Sequence, residues 1–291
     1  MKFSTESSFS ASGISAATTE STILIRPGRS LLRLDLNLTW EYRELLYFLV
    51  WRDVKVRYKQ TIIGAGWAIV QPLMTMVIFA VIFGNFAKIP SEGFPYSIFT
   101  FTALLPWNYL LQAINRSGVS LVGNAGLINK VYFPRLIIPL SAVVTPLVDF
   151  AIAFLVLLGM MLWYGITPTS GALALPPLLL LTMLTALAFG LWFSALDVRY
   201  RDIGHMIPFL LQCWLYVSPV AYPLSLVPEK WRLLYGLNPI AGIVEGFRWA
   251  LLGTRSPDVR MIAVSATVVV VLLLGGIFYF RHTENTFADF V

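Results

Sequence analysis

From Gly64 to Ala87 the chain runs for 24 residues without an ionised side chain, until Lys88. A helix rising 1.5 Å per residue needs about 20 apolar residues to cross a hydrocarbon layer roughly 30 Å thick. Inside such a layer each backbone polar group must be satisfied by the chain itself, so this interval is suited to a membrane-spanning helix and to little else. Directly before it, Arg52, Lys55, Arg57 and Lys59 stand among Tyr47, Trp51 and Tyr58. Cations gather on the cytoplasmic side of a span. The chain is therefore expected to lie along the inner membrane surface and then to enter it.

The rest of the sequence follows the same pattern, with 57% hydrophobic and 12% charged residues, against roughly a quarter charged in a soluble domain. This composition indicates an all-α polytopic membrane protein. The formal net charge of +6 would suit nucleic acid, but the cations sit mostly beside apolar spans. Membrane lipids with anionic head groups are the expected partner, and no nucleic acid is expected. One cysteine, Cys213, and two separated histidines, His205 and His282, exclude a disulfide framework and give no basis for a metal site.

Residues 1–36 divide into a tail with eleven Ser or Thr in its first 22 positions and a connector holding Arg26-Pro27-Gly28-Arg29. The tail is expected to be disordered, and it lacks the basic start and apolar stretch of a signal peptide. Residues 37–63 read as a cytoplasmic amphipathic helix. Glu41 and Glu44 fall in its first turns and Arg52, Lys55, Arg57 and Lys59 toward its end, both favourable to the helix dipole. On a helical wheel Tyr47, Trp51, Val54 and Tyr58 form one stripe, with Arg52, Lys55 and Lys59 on another. Such a helix suits the head-group region, either as an anchor alone or also as a surface for a cytoplasmic partner.

Charge-free intervals place six spans at about 64–87, 95–114, 137–163, 173–196, 205–222 and 261–280, with a short tail at 282–291. The second contains Pro106. A polar loop, 115–135, carries Arg116, Asn124, Asn129, Lys130 and Arg135. The fifth span is broken by Ser218-Pro219, and short amphipathic pieces fill 223–257. Broken helices at membrane depth persist where protein or a wet cavity surrounds them, so this region is a candidate gate of short re-entrant helices. Fifteen of the twenty-one Lys and Arg fall in the N-terminal region, the 115–135 loop, the 197–205 loop and the C-terminal tail. Both termini are then cytoplasmic.

No G-x-x-x-x-G-K-[ST], H-E-x-x-H or G-x-S-x-G occurs, so the spans suit a conduit better than a catalyst. Asp149, near the middle of the third span, is either functional or a structural hydrogen-bond partner. Trp67, Trp107, Tyr109, Trp163, Tyr164 and Tyr279 lie near span ends and are assigned to interfacial belts. Phe154, Trp192, Phe193, Trp214 and Tyr216 fall inside spans, where they pack or line a passage. Ring faces of that kind suit sugars.

Four blocks together resemble the membrane subunits of ABC-2 type exporters that carry lipid-linked polysaccharides such as O-antigen, capsule or teichoic acid. They are Arg57-Tyr58-Lys59-Gln60-Thr61 with Gly64, Trp67 and Gln71-Pro72-Leu73; Leu127-Ile128-Asn129-Lys130-Val131-Tyr132-Phe133-Pro134-Arg135; Asp197-Val198-Arg199-Tyr200-Arg201-Asp202-Ile203 leading to Ser218-Pro219; and Leu237-Asn238-Pro239 with Glu245-Gly246-Phe247-Arg248. The extension 1–36 departs from the family pattern. The resemblance implies an ABC-2 transmembrane domain over 64–281, a homodimer in the bacterial inner membrane, and two copies of a separate ABC ATP-binding subunit. That subunit would hold ATP and Mg; this chain would hold no cofactor.

The same resemblance assigns roles to residues. Glu41, Glu44, Arg52, Lys55, Arg116, Asn124, Asn129 and Lys130 would couple to the ATPase, and Arg57, Lys59 and Arg135 would meet the pyrophosphate. The five ring residues inside spans would line the channel, and Pro219, Tyr222, Trp231, Glu245 and Arg248 would form the outer gate. Two alternatives stand beside this reading. One is an ABC-2 exporter of a small drug or lipid; the other is a polytopic glycosyl- or acyltransferase with Glu229 or Glu245 as its acid.

Overall fold

The computed structural model describes residues 40–59, 65–254 and 258–284. The expected tail and connector, 1–36, lie outside these residues. The described chain is almost wholly helical: α1 (Arg43–Lys59), α2 (Ala65–Phe79, continuing as a π-helix, Ala80–Phe86), α3 (Tyr96–Gly118), α4 (Ser120–Gly123), α5 (Ala125–Ile128), α6 (Ile137–Val144), α7 (Leu147–Trp163), α8 (Leu175–Arg199), α9 (Ile203–Val217), α10 (Glu229–Tyr235), α11 (Pro239–Leu252) and α12 (Val259–Glu284). Four segments are long and apolar enough to cross a membrane: Gly66–Phe86, Ile137–Trp163, Ser170–Arg199 and Val259–Glu284.

The other two expected spans differ in kind. The interval 95–114 corresponds to α3, which is long enough at 23 residues but carries Thr100, Thr102 and Ser117 buried in protein. Helices α2, α6, α7, α8, α9 and α11 surround it, so its polar residues never need lipid. It runs unbroken through Pro106. The interval 205–222 is shorter as a helix than expected. Helix α9 stops at Val217 after 15 residues, about 22 Å, because Pro219 forces Ser218 into extended backbone (φ −96°, ψ 149°).

Helix α3 is therefore the axis of the bundle, and α8 is its broadest neighbour, with α12 on the far side of α8. Close approach is set by small residues. A Cβ on Gly190 of α8 would fall 2.2 Å from Ser117 Oγ of α3. On the other face, Trp192 lies against Gly275 and Gly276 of α12 and donates to the Leu272 carbonyl at 3.0 Å. Two of the residues assigned to the interfacial belts belong instead to this core. Trp107 is 1% and Tyr109 2% exposed; Trp107 meets Trp214 edge to face at 6.1 Å, and Tyr109 donates to the Val143 carbonyl at 2.9 Å. Their positions near a span end match the belt pattern, but α3 is enclosed by protein along its length. Trp67 and Trp163 are exposed.

The third span is interrupted as a helix. Thr145 and Pro146 separate α6 from α7, since proline has no N–H and its ring crowds the preceding turn. Helix α11 shows clean punctuation. Asn238 accepts from the Ile240 N–H at 3.3 Å, Pro239 occupies the first turn, and Gly253 ends the helix in the left-handed region at φ +71°.

Helix α1 lies against the bundle rather than apart from it. Tyr42, Leu45, Leu46 and Leu49 pack on Leu121, Ile128, Phe133, Ile137, Ile138, Leu191, Ala195, Val198 and Phe280. Burying Leu49 alone stabilises this docking by about 1.5–3 kcal/mol. Trp40, Tyr47, Phe48 and Trp51 remain exposed on the opposite side.

Candidate functional site

Two groups of polar residues interrupt the apolar packing. The first joins α1 to the loop after α3 and to α7. Arg52 donates to Asn124 at 3.0 Å and pairs with Asp53 at 2.8 Å, so two residues expected to serve coupling meet directly across 72 positions of sequence. Further along α1, Tyr58 donates its hydroxyl to Asp149 Oδ1, and Arg57 stands 2.7 Å from Oδ2. Arg116, at the end of α3, lies within electrostatic reach of Asp149, Arg57 and Asp53. Asp149 is 5% exposed and occupies the first turn of α7, where the helix dipole favours a carboxylate.

Burial and then the hydrogen bond to Asp149 hold the Tyr58 phenol well above its ordinary value of 10.0. It therefore donates throughout the physiological range. Of the residues expected to meet pyrophosphate, Arg57 is thus engaged by Asp149, Arg135 donates to the Glu284 carbonyl, and Lys59 is exposed. Glu41, Glu44, Lys55, Asn129 and Lys130 are exposed, with Lys55 set 5.4 Å over Trp51, which in turn stacks on Tyr47. Together with Tyr132 and Val131 of the loop, they present aromatic and charged groups to solvent. A protein partner could read such a surface through stacking and charge pairing.

The second group surrounds the break after α9. Here the chain leaves helical geometry, and side chains from elsewhere take up its freed carbonyls one by one. Arg248 donates to Val220 at 2.8 Å and to Tyr222 at 3.2 Å. Tyr96 donates to Ala221, and Tyr235 donates to Val217. Asn238 accepts from the Trp214 indole at 2.9 Å and donates to Ser218 Oγ at 3.1 Å, which ties the Ser218-Pro219 and Asn238-Pro239 blocks to each other. Backbone that leaves helical geometry inside a membrane needs partners of this kind.

Arg248 has no exposed surface. Its guanidinium pairs with Glu245 at 3.1 Å and sits 3.7 Å over the Phe99 ring, so a charge that would be costly alone is matched by carboxylate, carbonyls and ring face. Of the five residues expected at the outer gate, Tyr222, Glu245 and Arg248 are brought into one cluster with Pro219 buried beside it. Trp231 lies on α10, half exposed beside Lys230. Tyr96, Phe99 and Tyr235 were missed as site residues, and no periodicity or motif marks them.

The expected ring lining is mostly occupied within the chain. Phe154 stacks on Phe150, Trp192 on Tyr279, Phe193 touches Phe189, and Trp214 meets Trp107 and Phe189. Tyr216 is exposed, on the same helix as exposed Met206, Phe209, Leu210 and Cys213. As for catalysis, Glu245 is bound to Arg248 and Glu229 faces solvent with Arg232 at 3.6 Å. Glu92 and Tyr235 also lie within electrostatic reach of Glu245.

Comparison with known proteins gives consistent results. The sequence profile of the ABC-2 type transporter family matches residues 44–252. The chain is similar to the O-antigen export system permease protein RfbA of Myxococcus xanthus, at 29% identity over 252 residues, covering 86% of this chain and 96% of that protein. It is 26% identical over 247 residues to the RfbA permease of Klebsiella pneumoniae, covering 84% of this chain and 94% of that one. It is 24% identical over 235 residues to the polysialic acid transport protein KpsM of Escherichia coli, covering 80% and 91%.

Proposed function

The chain belongs to the ABC-2 type transporter family, and from that premise we propose that it is the membrane subunit of an exporter of lipid-linked polysaccharide in a bacterial inner membrane. The observation that carries the reading is similarity to O-antigen and polysialic acid transport proteins along most of the chain. The protein works as a homodimer in which each copy contributes six spans, with α3, and α9 together with the non-helical segment after it, completing the four apolar ones. Two copies of a separate ATP-binding subunit bind ATP and Mg and supply the power. Both termini are cytoplasmic. This chain is a conduit, with no reaction of its own.

In this mechanism the ATP-binding subunit seats against the exposed arc of α1 and the 115–135 loop, near Glu41, Glu44, Lys55, Asn129 and Lys130. The Arg52–Asn124 bond supports that placement, because it makes helix and loop move as one piece. The pyrophosphate of the lipid-linked glycan meets Lys59 and the neighbouring cations, and phosphate oxygens favour Arg and Lys. The glycan then passes along the dimer, and the segments between α9 and α12 open at the far side.

The test is co-purification with the ATP-binding subunit, combined with loss and recovery of surface polysaccharide in a strain lacking this chain. Surface polysaccharide restored by the chain together with an ATPase-competent partner, but not with a hydrolysis-deficient one, is the expected result. A second reading, export of a small lipid or drug through a closed pocket, draws on the intrachain packing of Phe154, Trp192, Phe193 and Trp214. Normal surface polysaccharide in the deletion strain, with altered resistance to an amphiphilic drug, would favour it.

A further inference from the structure

The Arg57–Tyr58–Asp149 contact is unexplained by either a conduit or an exposed coupling surface, and its position is informative. Helix α1 touches the third span on both sides of its interruption at Thr145–Pro146. Below Thr145–Pro146, Leu49 and its neighbours pack on Ile137 and Ile138 of α6; beyond it, Tyr58 and Arg57 hold Asp149 of α7. Helix α1 is continuous over 17 residues, so it bridges the interruption like a splint.

We propose that Asp149 is a positioning residue that fastens the end of α1 to α7, so that displacement of α1 bends the third span at Thr145–Pro146. This rests on the exporter reading for the source of the displacement, which is the ATP-binding partner. The side-chain chemistry suits the task. The two carboxylate oxygens are taken by two successive residues of α1, one through a hydroxyl and one through a charge, so the joint resists both sliding and rotation. Arg116 of α3 stands near both partners, repelled by Arg57 and attracted by Asp149. Asp53 pairs with Arg52 at 2.8 Å, and Asp149 pairs with Arg57 at 2.7 Å. Proline kinks are places where a helix changes angle at low cost. A lever fixed on either side of one converts motion along the membrane surface into tilt of a span.

The experiment uses the full chain with its partner, reading surface polysaccharide of the native host and ATP hydrolysis by the purified complex. Asp149→Asn is expected to lower export about tenfold while hydrolysis stays within about twofold, and Asp149→Glu to recover export. Because Asp149→Asn removes the charge opposite Arg57, the double variant Arg57→Gln with Asp149→Asn serves as the control for folding. It is expected to regain wild-type thermal stability and remain defective in export. Wild-type export by either the single or the double variant overturns the proposal, as does a parallel loss of hydrolysis and export in the stable double variant.

A second measurement needs no partner. Amide hydrogen exchange of the chain in lipid nanodiscs is expected to rise about tenfold at residues 55–59 and 144–150 in Asp149→Asn, with residues 98–110 unchanged. Unaltered exchange at those two segments removes the joint. If the wild-type complex shows no ATP-dependent export while this exchange response holds, the exporter reading fails and the fastening of α1 to α7 stands.

Discussion

Arg248 makes hydrogen bonds to Val220, Tyr222 and Glu245 from a side chain with no exposed surface. Truncating it to Ala leaves Glu245 buried without its counter-charge and two carbonyls unpaired. The expected loss is about 3–5 kcal/mol, seen as a lower melting temperature in detergent. Arg248→Lys keeps the charge but not the planar fork of donors, so its melting temperature should fall between the two. Tyr58 makes a different prediction. Its phenol is raised above the ordinary value of 10.0 by burial and by Asp149, so its contribution to stability is complete below pH 10 and is lost as pH rises through the higher folded-state value. Thermal stability of the wild type relative to Tyr58→Phe should therefore hold constant between about pH 7 and 9. A difference that disappears within that window would mean the phenol ionises there.

At the scale of elements, contact between α3 and α8 depends on what is missing at Gly190. A Cβ there would stand 2.2 Å from Ser117 Oγ and 2.8 Å from Ser117 Cβ, too close for either helix to yield cheaply in a packed core. Gly190→Ala is expected to cost about 1–3 kcal/mol and to lower the yield of folded protein. Adding Ser117→Gly should recover most of it, since the opposing atoms are gone. Failure of that pair to compensate would indicate that α3 and α8 are spaced by other contacts. Helix α9 is governed by its terminus. Pro219 stops it short of a membrane's thickness, and the resulting gap is filled by donors from α3, α10 and α11.

Across the whole molecule, the proposed orientation puts Lys130 and the turn around Ser91 on opposite faces of the membrane. With Cys213 replaced by Ser, a membrane-impermeant maleimide should label Ser91→Cys in intact spheroplasts. Labelling of Lys130→Cys should require permeabilised cells. Reversed labelling would invert the topology and move α1 away from any cytoplasmic partner. The exposed apolar faces of α2 and α9 are where lipid or the second copy of the proposed dimer lies.

Charge-free runs and the crowding of cations made the membrane class and four spans readable from the residues in order, because hydrophobic length is a local property. The helix Arg43–Lys59 was equally legible, since an acid stands in its first turn and cations in its last. Tertiary structure alone decided that Trp107 and Tyr109 are core residues, that α3 is enclosed, and that Arg57, Tyr58 and Asp149 converge. It also decided that Tyr96, Phe99 and Tyr235 complete the broken helix. Each of these depends on contacts between residues far apart in the chain, and hydropathy or helical periodicity reports which side of a helix is apolar without reporting what will cover it.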